Sequence, residues 1–439
     1  MRIAVIGAGI SGLASALLLH RVAEVHLFEV AGRAGGHSNT VDACFGDVIV
    51  PVDTGFIVFN PLNYPNLVQL FALLDVETID SDMSFSVSLD NGRMEYEGSV
   101  RGLLAQPANL MRRRYWSMLY DLVRFYRCAP RQIAAGSVEE TLAAFVRRNG
   151  YGDAFVQDHL VPMGAAIWSA SNDSMMGFPV RSFMQFMENH KLLNFIDRPQ
   201  WRTVAGGSRN YVERILQQLG KAVHLNTHIT GLRRQGGGVM LNIDGEGDVF
   251  FDKVVMAAHA DQSLALIDDA SPAEKSILGA FAFQTNHAVL HSDKSLMPSR
   301  RGAWAAWNYL SYGQAGSVTD RPNDLCLTYW MNRLQSLDMN YPLYETLNPV
   351  VMPAKELIHA EFDYRHPIFD QKAIAAQKQM QQIQGHNGLL FAGAWTGYGF
   401  HEDGLKSGIA AARTLGAEVP WATDTQPYNP QPPMRHGSS

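Results

Sequence analysis

The stretch that most constrains this chain is its start, Arg2-Ile3-Ala4-Val5-Ile6-Gly7-Ala8-Gly9-Ile10-Ser11-Gly12. Ile3 to Ile6 read as a buried parallel strand and Leu13 to His20 as a helix. Between them Gly7, Gly9 and Gly12 have G-x-G-x-x-G spacing. Each glycine has a physical reason: Gly7 turns the chain tightly, Gly9 lets backbone approach a pyrophosphate, and Gly12 lets helix and strand pack closely. The helix N-terminus, with Ala8, Ile10 and Ser11 around it, offers N–H groups and a positive dipole end to phosphates. A second strand, Glu24 to Phe28, ends on Glu29, where an acid about 20 residues past such a loop holds a ribose hydroxyl. The alternative is a plain βαβ start whose glycines only turn the chain. The order strand, loop, helix, strand, acid argues against it.

A second glycine cluster follows, Gly32-Arg33-Ala34-Gly35-Gly36-His37. A nicotinamide dinucleotide has no general need of it. A flavin dinucleotide lies extended, and a loop just past the ribose acid can cradle its far phosphate. An ordinary surface turn is the other reading. Val50 to Phe56 then reads as a short strand whose end, Thr54-Gly55-Phe56, brings backbone near a bound ring. Composition narrows the rest. A chain of 439 residues with 46% hydrophobic residues can bury two or three domains' worth of core. The net charge of −6 gives no general attraction to nucleic acid. The three cysteines, Cys44, Cys128 and Cys326, are odd in number and far apart, which fits a reducing, cytoplasmic compartment and neither a disulfide framework nor a metal site. The apolar start is broken by glycines and reads as strand and turn rather than as a leader, and no apolar run reaches the length of a membrane span.

Glycine loop, acid and R-x-G-G together resemble the flavin-containing amine oxidase and phytoene desaturase superfamily. A late segment, Phe391-Ala392-Gly393-Ala394-Trp395-Thr396-Gly397-Tyr398-Gly399-Phe400-His401-Glu402-Asp403-Gly404, resembles the closing motif of that superfamily. The resemblance implies an α/β fold: a Rossmann-type FAD-binding domain with a second, discontinuous α+β substrate domain. The expected division is 1–75, 200–260 and 386–417 for the FAD domain, 76–199 and 261–385 for the substrate domain, and a disordered tail from 418 to 439. It implies non-covalent FAD held by the two glycine clusters, Glu29, Thr54 to Phe56, Gly393, Phe400 and His401. Ile229, in a strand read from Val223 through Ile229, would cover the adenine.

The same resemblance places Trp395, Tyr398, Phe400, His401 and Glu402 beside the flavin ring, with the Phe400 and His401 N–H groups at a helix start stabilising charge on it. Trp395, Tyr398, His401 and Glu402 are the candidate catalytic residues. Helix capping is the competing use of Glu402 and Asp403. No metal site is expected. His287 and His291, like His224 and His228, fall in strand-like runs, where residues four apart lie about 13 Å from each other.

Departures from amine oxidases are as informative. Thr285, Asn286 and His287 stand where many of them carry a lysine, and R-x-G-G ends on His37 rather than arginine. Ala166-Ile167-Trp168-Ser169, Arg198 to Val204, Trp307-Asn308-Tyr309 and Gly399 to Gly404 look like a bacterial group of FAD-binding proteins. Relatives of that group form the N-terminal portion of plant cyclopropane fatty acid synthases. This implies an acyl or phospholipid substrate, dehydrogenated or rearranged by hydride transfer to flavin N5. The methionines and aromatics between 151 and 200, such as Met163, Trp168, Met184 and Phe186, suit such a chamber and equally suit a plain core. The rivals are an amine oxidase and a non-catalytic flavoprotein partner of a lipid methyltransferase. Residues 101–131 hold seven arginines and one acid with interleaved aromatics. They read as a helix in peripheral contact with the inner membrane face, or as a basic surface helix whose aromatics are core. The sequence leaves the oligomeric state open.

Overall fold

The computed structural model describes residues 1–137, 140–168, 172–189, 199–313 and 326–421. Two sheets organise the chain. The first is parallel and five-stranded, in the order Leu389–Phe391, Lys253–Met256, Arg2–Ile6, Glu24–Phe28, Val223–His224. Its central strand is covered on both faces, as parallel strands must be. Ile3 and Val5 face a helical layer, while Ala4 and Ile6 face a three-stranded meander, Ile229–Gln235, Gly238–Ile243 and Gly247–Phe251. That alternation is the two-residue period of a strand.

The helical layer holds Ile10–Leu19, Arg209–Leu219 and His401–Thr414. Glycines let the first and last of these touch. A Cβ at Gly408 would lie 2.3 Å from the Ser11 carbonyl oxygen, and Ser15 Oγ donates to the Gly408 carbonyl at 3.0 Å. This contact brings the late motif to the opening loop.

The second sheet has seven strands, in the order Ile358–Ile368, Ala282–His291, Tyr344–Leu347, Cys326–Trp330, Trp307–Leu310, Phe85–Leu89, Met94–Glu97. All pairs are antiparallel except Trp307–Leu310 with Phe85–Leu89. Its inner face, with Leu290, Leu347, Tyr329 and Tyr309, shares one apolar core with helices between 113 and 187.

Three expectations change. The strand read from Val223 through Ile229 is two strands, broken at Asn226, whose φ is +52°. Ile229 therefore opens the meander, and its side chain packs with Ala4, Ile6 and Phe28. Residues 101–131 are not one helix: short 3₁₀ turns at Gly102–Leu104 and Pro107–Met111 precede the helix Arg113–Ala134. Pro107, with no N–H to donate, opens the second turn. At the tail, Val419 and Trp421 pack on the helical core, and Trp421 Nε1 donates to Asn66 Oδ1 at 3.2 Å. Residues 422–439 lie outside the described residues. Among the described residues no helix is long and apolar enough to cross a membrane.

Candidate active site

The C-terminal ends of the parallel strands run into one crevice, the usual ligand position of such a sheet. Ile6 leads to the glycine loop, Phe28 to Glu29, Met256 to His259 and Phe391 to Gly393. At Gly7, where φ is +102°, a Cβ would lie 2.7 Å from the Ala257 carbonyl oxygen; at Gly12 it would lie 1.8 Å from that of Gly7. At Gly9 it would meet nothing within 4 Å. Two glycines are thus required by the protein itself, and the third faces open space. The Ala8 N–H donates to Glu29 Oε2 at 2.8 Å and the Ala31 N–H to Oε1 at 3.0 Å, so the acid is held against the loop.

The second glycine cluster packs directly on the first. The Gly35 N–H donates to the Ala8 carbonyl at 2.8 Å, and a Cβ on Gly36 would lie 3.1 Å from Gly9 Cα. Arg33 Nη1 donates to the Gly36 carbonyl at 3.0 Å. The Phe56 N–H donates to the His37 carbonyl at 2.7 Å, and a Cβ on Gly55 would collide with that oxygen. Thr54 Oγ1 shares a hydrogen bond with Tyr364 Oη at 2.7 Å, and Asn39 Nδ2 donates to the same Tyr364 oxygen at 2.9 Å.

Four histidines from four distant stretches reach this crevice. The His37 ring lies 5.3 Å from that of His366, and His366 Nδ1 is 2.8 Å from Asn286 Nδ2. His401 stacks on Phe56 with ring centroids 3.8 Å apart. Its Nε2 lies 2.8 Å from Tyr211 Oη and 3.3 Å from Ser38 Oγ. His259 stacks on Phe283 at 4.4 Å. Burial holds all four imidazoles neutral: His401 falls to about 3, His259 and His366 to about 4, and His37 well below its ordinary value, with the neighbouring histidines adding to the last. All four nevertheless keep part of their surface accessible. Among the described residues His37 Nε2 and His259 Nδ1 are buried with no hydrogen-bond partner. Orphaned polar atoms and an open face at Gly9 are what a large polar ligand with a pyrophosphate would satisfy.

The late motif divides between this crevice and the core. Phe400 stacks on Phe186 at 4.8 Å, and Phe186 lies 4.7 Å from Trp168. Tyr398, raised to about 12 by burial and then by Asp403, lies 6.4 Å from Phe186. These rings join His401 at the crevice to the apolar core of the second sheet.

Trp395 does not belong with them. Its ring is buried on the meander side, edge-on to Phe281 at 4.7 Å, with Nε1 donating to the Ala258 carbonyl at 3.1 Å. Its expected catalytic place is corrected to a core role. Glu402 is corrected likewise. Its Oε1 accepts from the Asn66 N–H and Nδ2 at 3.1 and 2.8 Å, and its Oε2 from the Leu67 N–H at 3.0 Å. Those bonds cap the helix Pro65–Leu73 and commit both oxygens. The Phe400 N–H, expected to face a flavin ring, donates instead to Asp403 Oδ2 at 3.1 Å, which also accepts from the Tyr398 N–H at 3.0 Å.

Sequence reasoning missed His259, His366, Tyr364, Tyr211 and Glu345. His259 had a signal, since it stands just past the end of a buried parallel strand. Glu345 had none. It lies on the inner face of the second sheet, paired laterally with Leu290 and Tyr329. It is 1% exposed, and its Oε1 has no hydrogen-bond partner among the described residues. Burial, then the nearby Asp53, raises its pKa well above the ordinary carboxyl value, which favours the neutral form. Among the described residues no group of three or more His, Cys, Asp or Glu is placed to hold a metal ion.

Comparison with known proteins agrees with this geometry. The family model of flavin-containing amine oxidoreductases matches residues 10–278, more than half of the chain. A CLA-producing fatty acid isomerase from P. acnes superposes with a TM-score of 0.62 at 16% identity, covering 94% of this chain and 98% of that one. Cyclohexylamine oxidase from Brevibacterium oxydans IH-35A gives 0.64 at 16% identity, with 94% and 99% covered. A redesigned putrescine oxidase gives 0.65 at 13%, again with 94% and 99% covered. The glycine cradle and the orphaned imidazole nitrogens fit the FAD that such a family carries, and this chain belongs to the flavin-containing amine oxidoreductase family.

Proposed function

We propose that this FAD-dependent oxidoreductase acts on a hydrophobic acyl chain, free or phospholipid-linked, dehydrogenating it or moving its double bond. The observation that carries the reading is the run of rings from Phe400 through Phe186 to Trp168, Phe178 and Phe183, apolar except for the buried indole nitrogen of Trp168. FAD, when bound, supplies a hydride acceptor. The protein does the rest. The Gly7–Gly12 loop, Glu29 and the Arg33–His37 cluster hold the dinucleotide. Tyr211 and Ser38 hold the His401 imidazole in one orientation against Phe56. The ring wall seats an alkyl chain and excludes water from the reacting carbon. The resemblance to a fatty acid isomerase adds support at the level of the fold.

Amine oxidation is the second reading, favoured by one observation: Glu345 is a buried carboxyl on the inner sheet face. Burial favours its neutral form, which is a poorer partner for an ammonium group than a carboxylate, and the acyl reading is preferred. The experiment is an anaerobic titration of the FAD-loaded protein with unsaturated and cyclopropane phospholipids, then with amines, followed by flavin absorbance and by mass analysis of the lipids. Bleaching by lipid, or lipids with shifted double bonds, is the expected result. Bleaching by amines alone, abolished in Glu345→Gln, overturns it.

A further inference from the structure

The helix Arg113–Ala134 is amphipathic with an unusual outer face. Its inner stripe, Tyr115, Met118, Leu122, Phe125, Ala129 and Ile133, is buried in the core that it shares with the second sheet. Those aromatics are core residues. Its outer stripe, Arg113, Trp116, Tyr120, Val123, Arg127 and Arg131, recurs every three or four residues and so lies along one side of the helix. Trp116 is 54% exposed, Tyr120 71% and Val123 37%. The turn before the helix adds Met111, at 88%. The Trp116 indole N–H donates to the Leu110 carbonyl at 2.8 Å, which fixes the ring beside that turn. Among the described residues none of these apolar groups has a core to fill.

The charges on this face are equally unmatched. Arg114 is paired with Asp158 and Asp153, and Arg124 with Asp121. Among the described residues Arg101, Arg112, Arg113, Arg127 and Arg131 have no carboxylate partner. Arg113, Arg127 and Arg131 lie on the outer stripe itself and concentrate positive charge there, in a chain whose net charge is −6. We infer that this stripe is a docking surface for an anionic lipid bilayer. Exposed Trp and Tyr rings settle at headgroup depth, arginines reach phosphates beside them, and a helix of about 33 Å lies flat in that plane. The negative remainder of the chain is repelled by the same surface, which leaves this face as the one that approaches. The inference goes beyond the acyl reading, because its readout is partitioning and not turnover.

The test is sedimentation of the full, FAD-loaded chain with vesicles of phosphatidylcholine alone or mixed with phosphatidylglycerol. Expected is binding to the anionic vesicles, released by salt and weak on the neutral ones. The triple variant R113Q/R127Q/R131Q should lose about fivefold in partitioning per arginine. W116S/Y120S should bind weakly at every salt concentration. Both variants change exposed side chains, so melting temperature and flavin content should match the wild type, which separates lost docking from lost folding. Wild-type protein left in solution with both vesicle types overturns the inference, as does a triple variant that binds unchanged. A dimer in analytical ultracentrifugation that W116S/Y120S dissociates also overturns it, by assigning the stripe to a second copy.

Discussion

Asn66 and Glu402 are joined by two hydrogen bonds, the Asn66 N–H and Nδ2 both donating to Glu402 Oε1 at 3.1 and 2.8 Å. With Leu67 on Oε2, the carboxylate closes the N-terminus of the helix Pro65–Leu73, whose own N-cap residue, Tyr64, makes no side-chain cap. A residue beside the expected flavin site is therefore a helix cap for a segment far away in the chain.

Glu402→Ala should accordingly cost about 2–3 kcal/mol of stability, since it strands buried N–H groups, and Glu402→Gln should cost less. Urea unfolding measures both. A Glu402→Gln protein of wild-type stability that no longer reduces its flavin with substrate would return the residue to the chemistry.

Gly9 and Gly12 should behave oppositely. A side chain at Gly9 enters open space, so Gly9→Val should fold with the wild-type circular dichroism spectrum and bind no flavin. A Cβ at Gly12 strikes the Gly7 carbonyl, so Gly12→Val should not fold. A fully yellow Gly9→Val protein would remove the phosphate loop from the argument.

Glu345 should weigh on stability at high pH. Its folded pKa is raised by burial, so above the unfolded value near 4.5 the unfolded chain ionises while the folded chain keeps its proton. Stability then falls as pH rises, at up to about 1.4 kcal/mol per pH unit for one proton. Glu345→Gln removes that slope and should gain most over wild type at pH 8 and least at pH 5. Parallel urea curves for the two proteins across that range would show that Glu345 ionises as freely folded as unfolded.

The histidines act in the opposite sense. His37, His259, His366 and His401 are neutral when folded but take up protons near 6.5 when unfolded. Their contribution is whole above about 6.5 and is lost as pH falls toward 4, each proton contributing up to about 1.4 kcal/mol per pH unit. His401→Gln, which keeps a hydrogen bond to Tyr211, should reduce the acid-side slope by one proton. An unchanged slope would show that the His401 ring is not held neutral.

Much of the nucleotide crevice could be read from the chain because its demands are local. A tight turn with φ of +102° at Gly7 needs glycine, and the strand and helix around it follow from patterns a few residues long. Even the break at Gly9 had a local logic, and the structure gave it an open face.

What the tertiary structure alone decided lies in side chains whose partners come from other elements of the fold. Trp395 and His401 are six positions apart, yet one turns into the meander core and the other onto Phe56, because the turn Ala394–Thr396 and Gly399 intervene between strand and helix. Four histidines converge only once two sheets have packed, and Glu345 meets an apolar face only when Leu290 and Tyr329 flank it. Periodicity shows which side of an element is buried; it holds no record of what that side is buried against, and the chemistry of this crevice depends on that.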